Sequence, residues 1–410
     1  MRTKNVILRT QSEGSYDVVR QMTHHVSTKK QDRKEMKMKK LAALALIAIM
    51  ILSLAACGKQ EEQGEEDTPL FKREEGANVI TGYKSGDVTL GQYTGLTYTP
   101  QSTEVSAEEI QEKLDQFVSS YKSKTLVTDR TTVQLGDVVD INYEGYKDGV
   151  AFEGGTGSKA DLWIGSGTFI PGFEEAIIGH EKGSTFEINV TFPENYSNKE
   201  MAGVPAVFKI TLNELYYYKY PELTDDFVAE KTSCKTVEEY KNNIKAQITS
   251  EKEEEAEIAK QDELAKKVIA NATFNIDLSD EMQRTLANLK NYNDSIYMNA
   301  YGVDGAGYYY LAYGMPSDQY ETYLREMTEF SVRYEYIRSA IVEAERFEVT
   351  QEEMDTLAGN LMTQYGYTDL NSLYEKIKSQ HGVEGPDFLR EQVKLNKASD
   401  LIFSTAVPES

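Results

Sequence analysis

Side chains that carry acid–base, nucleophilic or metal chemistry are scarce in this sequence. Among 410 residues there are 4 His and 2 Cys, too few for a disulfide framework or for a Cys-rich or His-rich metal centre. Beyond residue 56, a Ser–His–Asp or Cys–His–Asn site would have to use His180 or His381. The adjacent carboxylates of Asp225 and Asp226 would not converge on a helix, so they indicate solvated charge. We therefore expect neither a metal ion nor a cofactor.

Aromatic side chains could instead form an apolar binding site. The chain has 27 Tyr, 14 Phe and 1 Trp. Apolar and polar residues alternate in three runs that predict half-buried strands: from Val139 to Tyr143, from Phe186 to Phe192 and from Phe208 to Leu212. Twelve of the 28 Gly lie between Gly136 and Gly203, which is typical of a compact, turn-rich antiparallel domain. A short helix fits residues 173–178, because Phe173 and Ile177 are four positions apart.

The net charge excludes one class of partner. Lys and Arg number 44 against 67 Asp and Glu, which gives a formal net charge of −23. A nucleic-acid binder neutralises phosphates with a basic surface, and the sequence has no basic stripe. We therefore expect no nucleic-acid partner.

The first 56 residues have the pattern of a leader rather than of a folded domain. A lysine-rich stretch precedes an apolar run, residues 41–56, that is short for a membrane-spanning helix. The run ends in Leu-Ala-Ala-Cys, which resembles a bacterial lipobox and predicts lipidation of Cys57. An uncleaved anchor with an incidental Cys is the alternative. Residues 1–35 indicate a start codon assigned too early, or else a cytoplasmic extension.

Lipidation at Cys57 would place the chain on the outer face of the bacterial cytoplasmic membrane, with the membrane as a partner through the lipid. Residues 57–78 are rich in Gln and Glu and poor in apolar side chains. This composition predicts a disordered acidic tether.

Three capping boxes mark predicted helix starts: Ser106 with Glu109, Thr236 with Glu239, and Thr350 with Glu353. After the first box, Ile110, Leu114 and Phe117 follow at helical spacing. The stretch from Gly302 to Gly314 is expected to break the later helices.

Three stretches resemble the FKBP-type peptidyl-prolyl isomerase domain: GDVVDINYEGYKDGVAFEGG, IPGFEEAIIGHEKGSTFEINVTFPENY and AVFKITLNEL. The likeness is closest to the version found in the trigger factor family. It continues through YPELTDDFV, VEEYKNNIKAQI and FEVTQEEMDTLAGNLMTQYGY, and so covers the chain from about Glu104 to the C-terminus. The resemblance implies an α+β protein, with an antiparallel sheet wrapped on a short helix and a mostly helical C-terminal domain.

By this resemblance the isomerase site comprises Tyr143, Phe152, Glu153, Phe169, Ile170, Phe173, Tyr196 and Phe208. Tyr143 and Phe152 would line the pocket and Phe173 would form its floor. The Ile170 N–H would contact the substrate carbonyl. Glu153 takes the place where many FKBPs have Asp, while Tyr196 and Phe208 would complete the rim and wall. Plain core packing is the alternative for each aromatic residue taken singly.

One part of the trigger factor pattern is missing. That family begins with a ribosome-binding domain carrying a short basic signature loop, and nothing like it stands in this sequence. We therefore expect a protein without that domain, which does not dock on the ribosome and instead assists secreted proteins outside the cytoplasm.

A second surface is predicted from the 11 tyrosines between Tyr292 and Tyr336. Tyrosine offers a large apolar face and a hydroxyl that tolerates water. Tyr308, Tyr309 and Tyr310 are consecutive and cannot all face one core, so we predict that they contact client chains, which are unfolded or proline-containing polypeptides. Tyr320 and Tyr323 have helical spacing and are expected in the core.

These patterns predict five segments: an upstream extension and leader (1–56), a tether (57–78), short strands and an arm helix (79–130), an FKBP-type isomerase domain (131–216) and a helical chaperone domain (217–410). The predicted function is a lipid-anchored, extracytoplasmic peptidyl-prolyl cis-trans isomerase and chaperone. The alternatives are a binding chaperone with a vestigial isomerase domain and a surface or solute-binding lipoprotein.

Overall fold

The computed structural model describes residues 80–194, 196 and 198–409. Their contacts divide this part of the chain into two compact units. The first unit is Val105–Thr249, and the second combines residues 80–104 with residues 250–409. The predicted segment 79–130 is therefore shared between the two units: residues 80–104 belong with the second unit, and the arm helix and the residues after it belong with the first.

The strands are β1 (Val88–Thr89), β2 (Thr97–Tyr98), β3 (Ser123–Leu126), β4 (Val138–Lys147), β5 (Val150–Trp163), β6 (Thr185–Thr191), β7 (Pro205–Lys219), β8 (Thr273–Phe274) and β9 (Val407–Pro408). The helices are α1 (Ala107–Ser120), α2 (Phe173–Ile177), α3 (Asp225–Lys231), α4 (Val237–Asn271), α5 (Ser279–Tyr301), α6 (Gly305–Tyr313), α7 (Ser317–Glu345), α8 (Gln351–Tyr365), α9 (Leu370–His381) and α10 (Gly385–Ser404).

The first unit is built on an antiparallel sheet in the order β3-β7-β4-β5, with β6 also paired to β7. Alternate residues of a strand face opposite sides, and Val139 and Ile141 on β4 bring one side into a fully buried core. Phe173 and Ile177 of α2 are buried in the same cluster. The predicted fold, which combines a sheet wrapped on a short helix with a separate helical C-terminal domain in the same chain, is confirmed.

The arm helix α1 begins at the predicted capping box. The Ser106 hydroxyl accepts the Glu109 N–H at 3.2 Å, and the Glu109 carboxylate accepts the Ser106 N–H at 2.9 Å. Leu114 is buried against Ile244 and Ile248 of α4. The helix therefore packs on the first turns of α4 within the same unit.

The box predicted at Thr236 is only half formed. The Thr236 hydroxyl accepts the Glu239 N–H at 3.1 Å. The Glu239 carboxylate, however, accepts the N–H of Lys235 at 2.6 Å instead of that of Thr236. The third box, at Thr350 and Glu353, is complete and starts α8.

The second unit is helical, with its main core around α7. Ile337 and Ile341 of that helix are buried together with Leu264 and Val268 of α4 and with Ile402 of α10. Two short strand pairs complete the unit, β1 with β8 and β2 with β9. Among the described residues, no helix is both long enough and apolar enough to cross a membrane.

The stretch from Gly302 to Gly314 is not the simple break that the sequence predicts. Both glycines have left-handed φ angles, 71° and 70°, and each ends the helix before it. Between them, the Asp304 carboxylate accepts the Gly307 N–H at 2.7 Å and starts α6. The sequence does not predict this helix because Gly305 and Gly307, which disfavour a helix, lie in its first turn.

Candidate active site

The first unit carries an aromatic cluster with a buried floor. Phe173 on α2 is 0% exposed and Phe208 on β7 is 5% exposed. Their ring centroids are 5.2 Å apart, with the edge of one ring on the face of the other. Phe192, which follows β6, is also buried, and its ring centroid lies 6.4 Å from that of Phe208. Water is therefore excluded from the floor.

Half-buried rings surround this floor. The Tyr143 centroid is 5.6 Å from that of Phe169 and 6.1 Å from that of Phe173. Phe152 lies 5.8 Å from Phe208, and Tyr196 lies 4.7 Å from Phe192. The structure thus brings all six predicted aromatic residues into one cluster, with a dry base and a rim that solvent reaches.

Strand register and glycine spacing explain how the sequence builds this cluster. Tyr143 on β4 is paired with Ile210 on β7, two residues beyond Phe208. A Cβ added at Gly145 would stand 2.6 Å from the Phe152 ring and 2.7 Å from that of Phe208. Glycine is needed at this position because any side chain would displace the two rings.

The loop between β5 and α2 is held by one buried carboxylate. Glu174, the second residue of α2, is 5% exposed. Its oxygens accept four backbone N–H groups and one hydroxyl: Gly165 at 2.8 Å, Gly167 at 3.1 Å, Thr168 at 2.9 Å, Phe169 at 3.2 Å, and the Ser166 hydroxyl at 3.1 Å. The loop leads directly to Ile170, which is half-buried against the cluster.

Two residues of this region, Phe192 and Glu174, are not predicted from the sequence as parts of the site. Phe192 was assigned only to a strand, although its alternation with Ile188 and Val190 is a signal that it faces inward. Glu174 gave no usable signal, because a carboxylate beside Phe173 is as compatible with an exposed helix face as with a buried one. Glu153 was predicted for the site and is exposed on β5 next to Phe152.

The predicted client surface needs correction in the second unit. Tyr309 is 5% exposed and packs in a core cluster, with its ring centroid 4.8 Å from that of Tyr320. Burial raises the pKa of the Tyr309 hydroxyl. Tyr308 is half-buried and stacks on Tyr297 at 4.0 Å. Of the three predicted residues, Tyr310 alone is fully on the surface, at 56% exposed.

Helix geometry accounts for this difference. Successive residues on an α-helix point about 100° apart, so three consecutive tyrosines cover more than half of the circumference and one of them faces inward. Exposed apolar side chains on the same two helices include Ile296, Met298 and Tyr301 of α5 and Leu311 of α6, the last at 71%.

The sheet, the short helix and the aromatic cluster define an FKBP-like domain in the first unit. The family profile described as FKBP-type peptidyl-prolyl cis-trans isomerase matches residues 129–213. The profile of the bacterial trigger factor C-terminus matches residues 236–404.

Curated relatives extend this assignment to the greater part of the chain. The trigger factor of Staphylococcus saprophyticus is 34% identical over 331 residues, which cover 80% of this chain and 73% of that protein. The trigger factor of Anoxybacillus flavithermus is 35% identical over 317 residues, covering 77% and 72%. The chain belongs to the trigger factor family.

The predicted location, lipid-anchored on the outer face of the cytoplasmic membrane, is wrong. The homologues are cytoplasmic trigger factors. Cys57, the leader and the tether lie outside the described residues, as does the segment on which the predicted lack of a ribosome-binding domain rests. The missing domain stays a prediction from sequence.

Proposed function

We propose that the first unit catalyses cis-trans isomerisation of X–Pro peptide bonds and that residues 131–216 are its catalytic domain. The observation that carries this proposal is the cluster around Phe173 and Phe208, whose floor is dry and whose rim is accessible. Such a surface accepts a proline ring, which is small and apolar. No ionisable group in the cluster is required.

The chemistry follows from the nature of the bond. Resonance gives the peptide bond a rotational barrier of about 18–20 kcal/mol. The twisted amide loses conjugation and charge separation, so a water-excluding surface favours it over the planar form. The rings of Tyr143, Phe152 and Tyr196 would grip the proline, and the Ile170 N–H would donate to the substrate carbonyl. Glu153 would lie at the mouth of the site.

We further propose that the helical part, residues 217–410, binds unfolded or proline-containing polypeptides. Exposed apolar side chains on α5 and α6 support this, namely Met298, Tyr301, Tyr310 and Leu311. They can contact apolar segments of an unfolded chain without requiring a particular sequence. Tyr309 is left out of this surface because it belongs to the core.

The test is a protease-coupled assay of the full chain on a tetrapeptide with an apolar residue before proline. The parent should accelerate isomerisation, and Phe208→Ala should abolish most of the acceleration in folded protein. Tyr217→Ala is the matched control, because Tyr217 is an exposed aromatic residue of β7. A folded parent that suppresses aggregation but does not isomerise would establish the binding chaperone instead.

A further inference from the structure

Glu174 has an arrangement that plain core packing does not require. Its carboxylate is buried, yet it lies within hydrogen-bonding distance of the N–H groups of Gly165, Gly167, Thr168 and Phe169. A buried carboxylate must find hydrogen-bond donors. In this loop four backbone N–H groups donate to the two oxygens of Glu174, so the path of the loop is tied to this side chain.

This loop delivers two parts of the candidate site. Phe169 lies at its end, with its ring centroid 4.5 Å from that of Phe173 and 5.6 Å from that of Tyr143. Ile170 comes next, and no acceptor among the described residues takes a hydrogen bond from its N–H. The N–H of Phe169 donates to Glu174. The N–H of Ile170 is therefore the one that is available to a ligand.

We propose that Glu174 is a positioning residue of the isomerase site. It does not touch the substrate. It holds the loop so that the Phe169 ring stays in the rim and the Ile170 N–H stays available to the substrate carbonyl. This inference rests on the proposed isomerase function and names Glu174 as the carboxylate that keeps its site in place. A shift of about 1 Å in a group that orients a substrate is enough to lower a rate substantially.

The experiment compares Glu174→Ala and Glu174→Gln in the full chain. Alanine removes every acceptor, whereas glutamine keeps one carbonyl oxygen in place. We expect kcat/KM to fall about tenfold or more in the alanine variant and by an intermediate factor in the glutamine variant. Glu187→Gln is the matched control, because Glu187 is an exposed glutamate on β6. It should keep the parental kcat/KM.

Hydrogen exchange measured by mass spectrometry gives a second readout that does not depend on activity. In Glu174→Ala, peptides that cover residues 165–170 should exchange faster, while peptides from β4 and β7 keep their protection. That pattern would locate the change in the loop. Unchanged exchange in the loop of a folded Glu174→Ala variant would overturn the proposal.

The activity measurements distinguish a failure of the positioning role of Glu174 from a failure of the proposed isomerase function. An active parent whose folded Glu174→Ala variant keeps the parental kcat/KM overturns the positioning role alone. A folded parent without isomerase activity overturns the proposed function, and the positioning role falls with it. If Glu174→Ala does not fold, Glu174→Gln decides: reduced kcat/KM with a protected core supports the role, and parental kcat/KM overturns it.

Discussion

The ring of Tyr143 lies so close to Gly157 that a Cβ added at residue 157 would stand 2.5 Å from it. Tyr143 on β4 and Gly157 on β5 are partners across the sheet. The absence of a side chain on one strand therefore sets the place of a pocket side chain on the next. This contact allows the site to be disturbed without removing any of its atoms.

We expect Gly157→Ala to lower isomerase activity because Tyr143 must move aside. Overpacking of this kind typically also destabilises a protein by about 1–3 kcal/mol. The measurement is kcat/KM on an apolar-Pro tetrapeptide, with folding checked by circular dichroism. Gly359→Ala is the control: a Cβ there meets nothing within 4 Å. Since residue 359 lies within α8, alanine should stabilise the protein by up to about 1 kcal/mol. Equal activity of the two variants would show that Tyr143 is not part of the pocket.

The floor and the rim of the pocket should respond differently to truncation. Phe173→Ala should cost about 3–5 kcal/mol of unfolding free energy, as is typical for a buried Phe. Tyr143→Ala should cost less, because Tyr143 is half-buried, but should lower activity as strongly in folded protein. Tyr143→Phe keeps the ring and should stay close to the parent. Urea unfolding and the protease-coupled assay check both quantities. Parental activity in folded Tyr143→Ala and Phe173→Ala would mean that the pocket has been misplaced.

Client binding should depend on the exposed residues of α6 and not on the buried one. Replacing both Tyr310 and Leu311 with Ser should weaken suppression of the aggregation of an unfolded reporter while leaving the unfolding free energy nearly unchanged. Tetrapeptide isomerisation should also be unchanged. A double variant that protects the reporter as well as the parent would place the client surface elsewhere.

Tyr309→Ser is the matched comparison from the same helix. Its ring is buried among Tyr297, Tyr313, Tyr320 and Tyr323. Truncating it should cost several kcal/mol, on the order of the values for a buried Phe. A Tyr309→Ser variant of parental stability would contradict its assignment to the core.

Burial of Tyr320 in the second unit predicts a loss of stability at high pH. Burial, with smaller contributions from Asp294 and other groups, raises the pKa of Tyr320 from 10.0 to about 12. Between these values the unfolded state releases a proton that the folded state keeps. Stability is therefore full below pH 10 and falls as the pH rises towards 12. Urea unfolding at pH 9 and pH 11 measures the difference, which should be smaller in Tyr320→Phe. An equal difference in the parent and in Tyr320→Phe would contradict the prediction.

The sequence predicted those features that follow from local rules. Alternation from Val139 to Tyr143 indicates a strand whatever its partners are, and the box at Ser106 needs only residues three apart. Tyr320 was placed correctly in the core by its helical spacing.

The features that escaped prediction depend on long-range geometry. The partners of Glu174 come from the path of a loop, and periodicity carries no information about such a path. The inward direction of Tyr309 depends on where α6 begins, which is set by the capping bond of Asp304. The Glu239 carboxylate accepts the N–H of Lys235 and not that of Thr236. The three-residue spacing of the box does not determine which of these two donors is used.

The central claim is that the aromatic cluster around Phe173 catalyses proline isomerisation, and exchange NMR tests it most directly. The spectrum would follow the cis and trans proline signals of an apolar-Pro tetrapeptide with a small amount of the full chain present. Uncatalysed exchange takes tens to hundreds of seconds, so cross peaks between the two signals at mixing times below a second require catalysis. We predict such cross peaks with the parent and their loss with folded Phe208→Ala. A folded parent that gives none would contradict the claim.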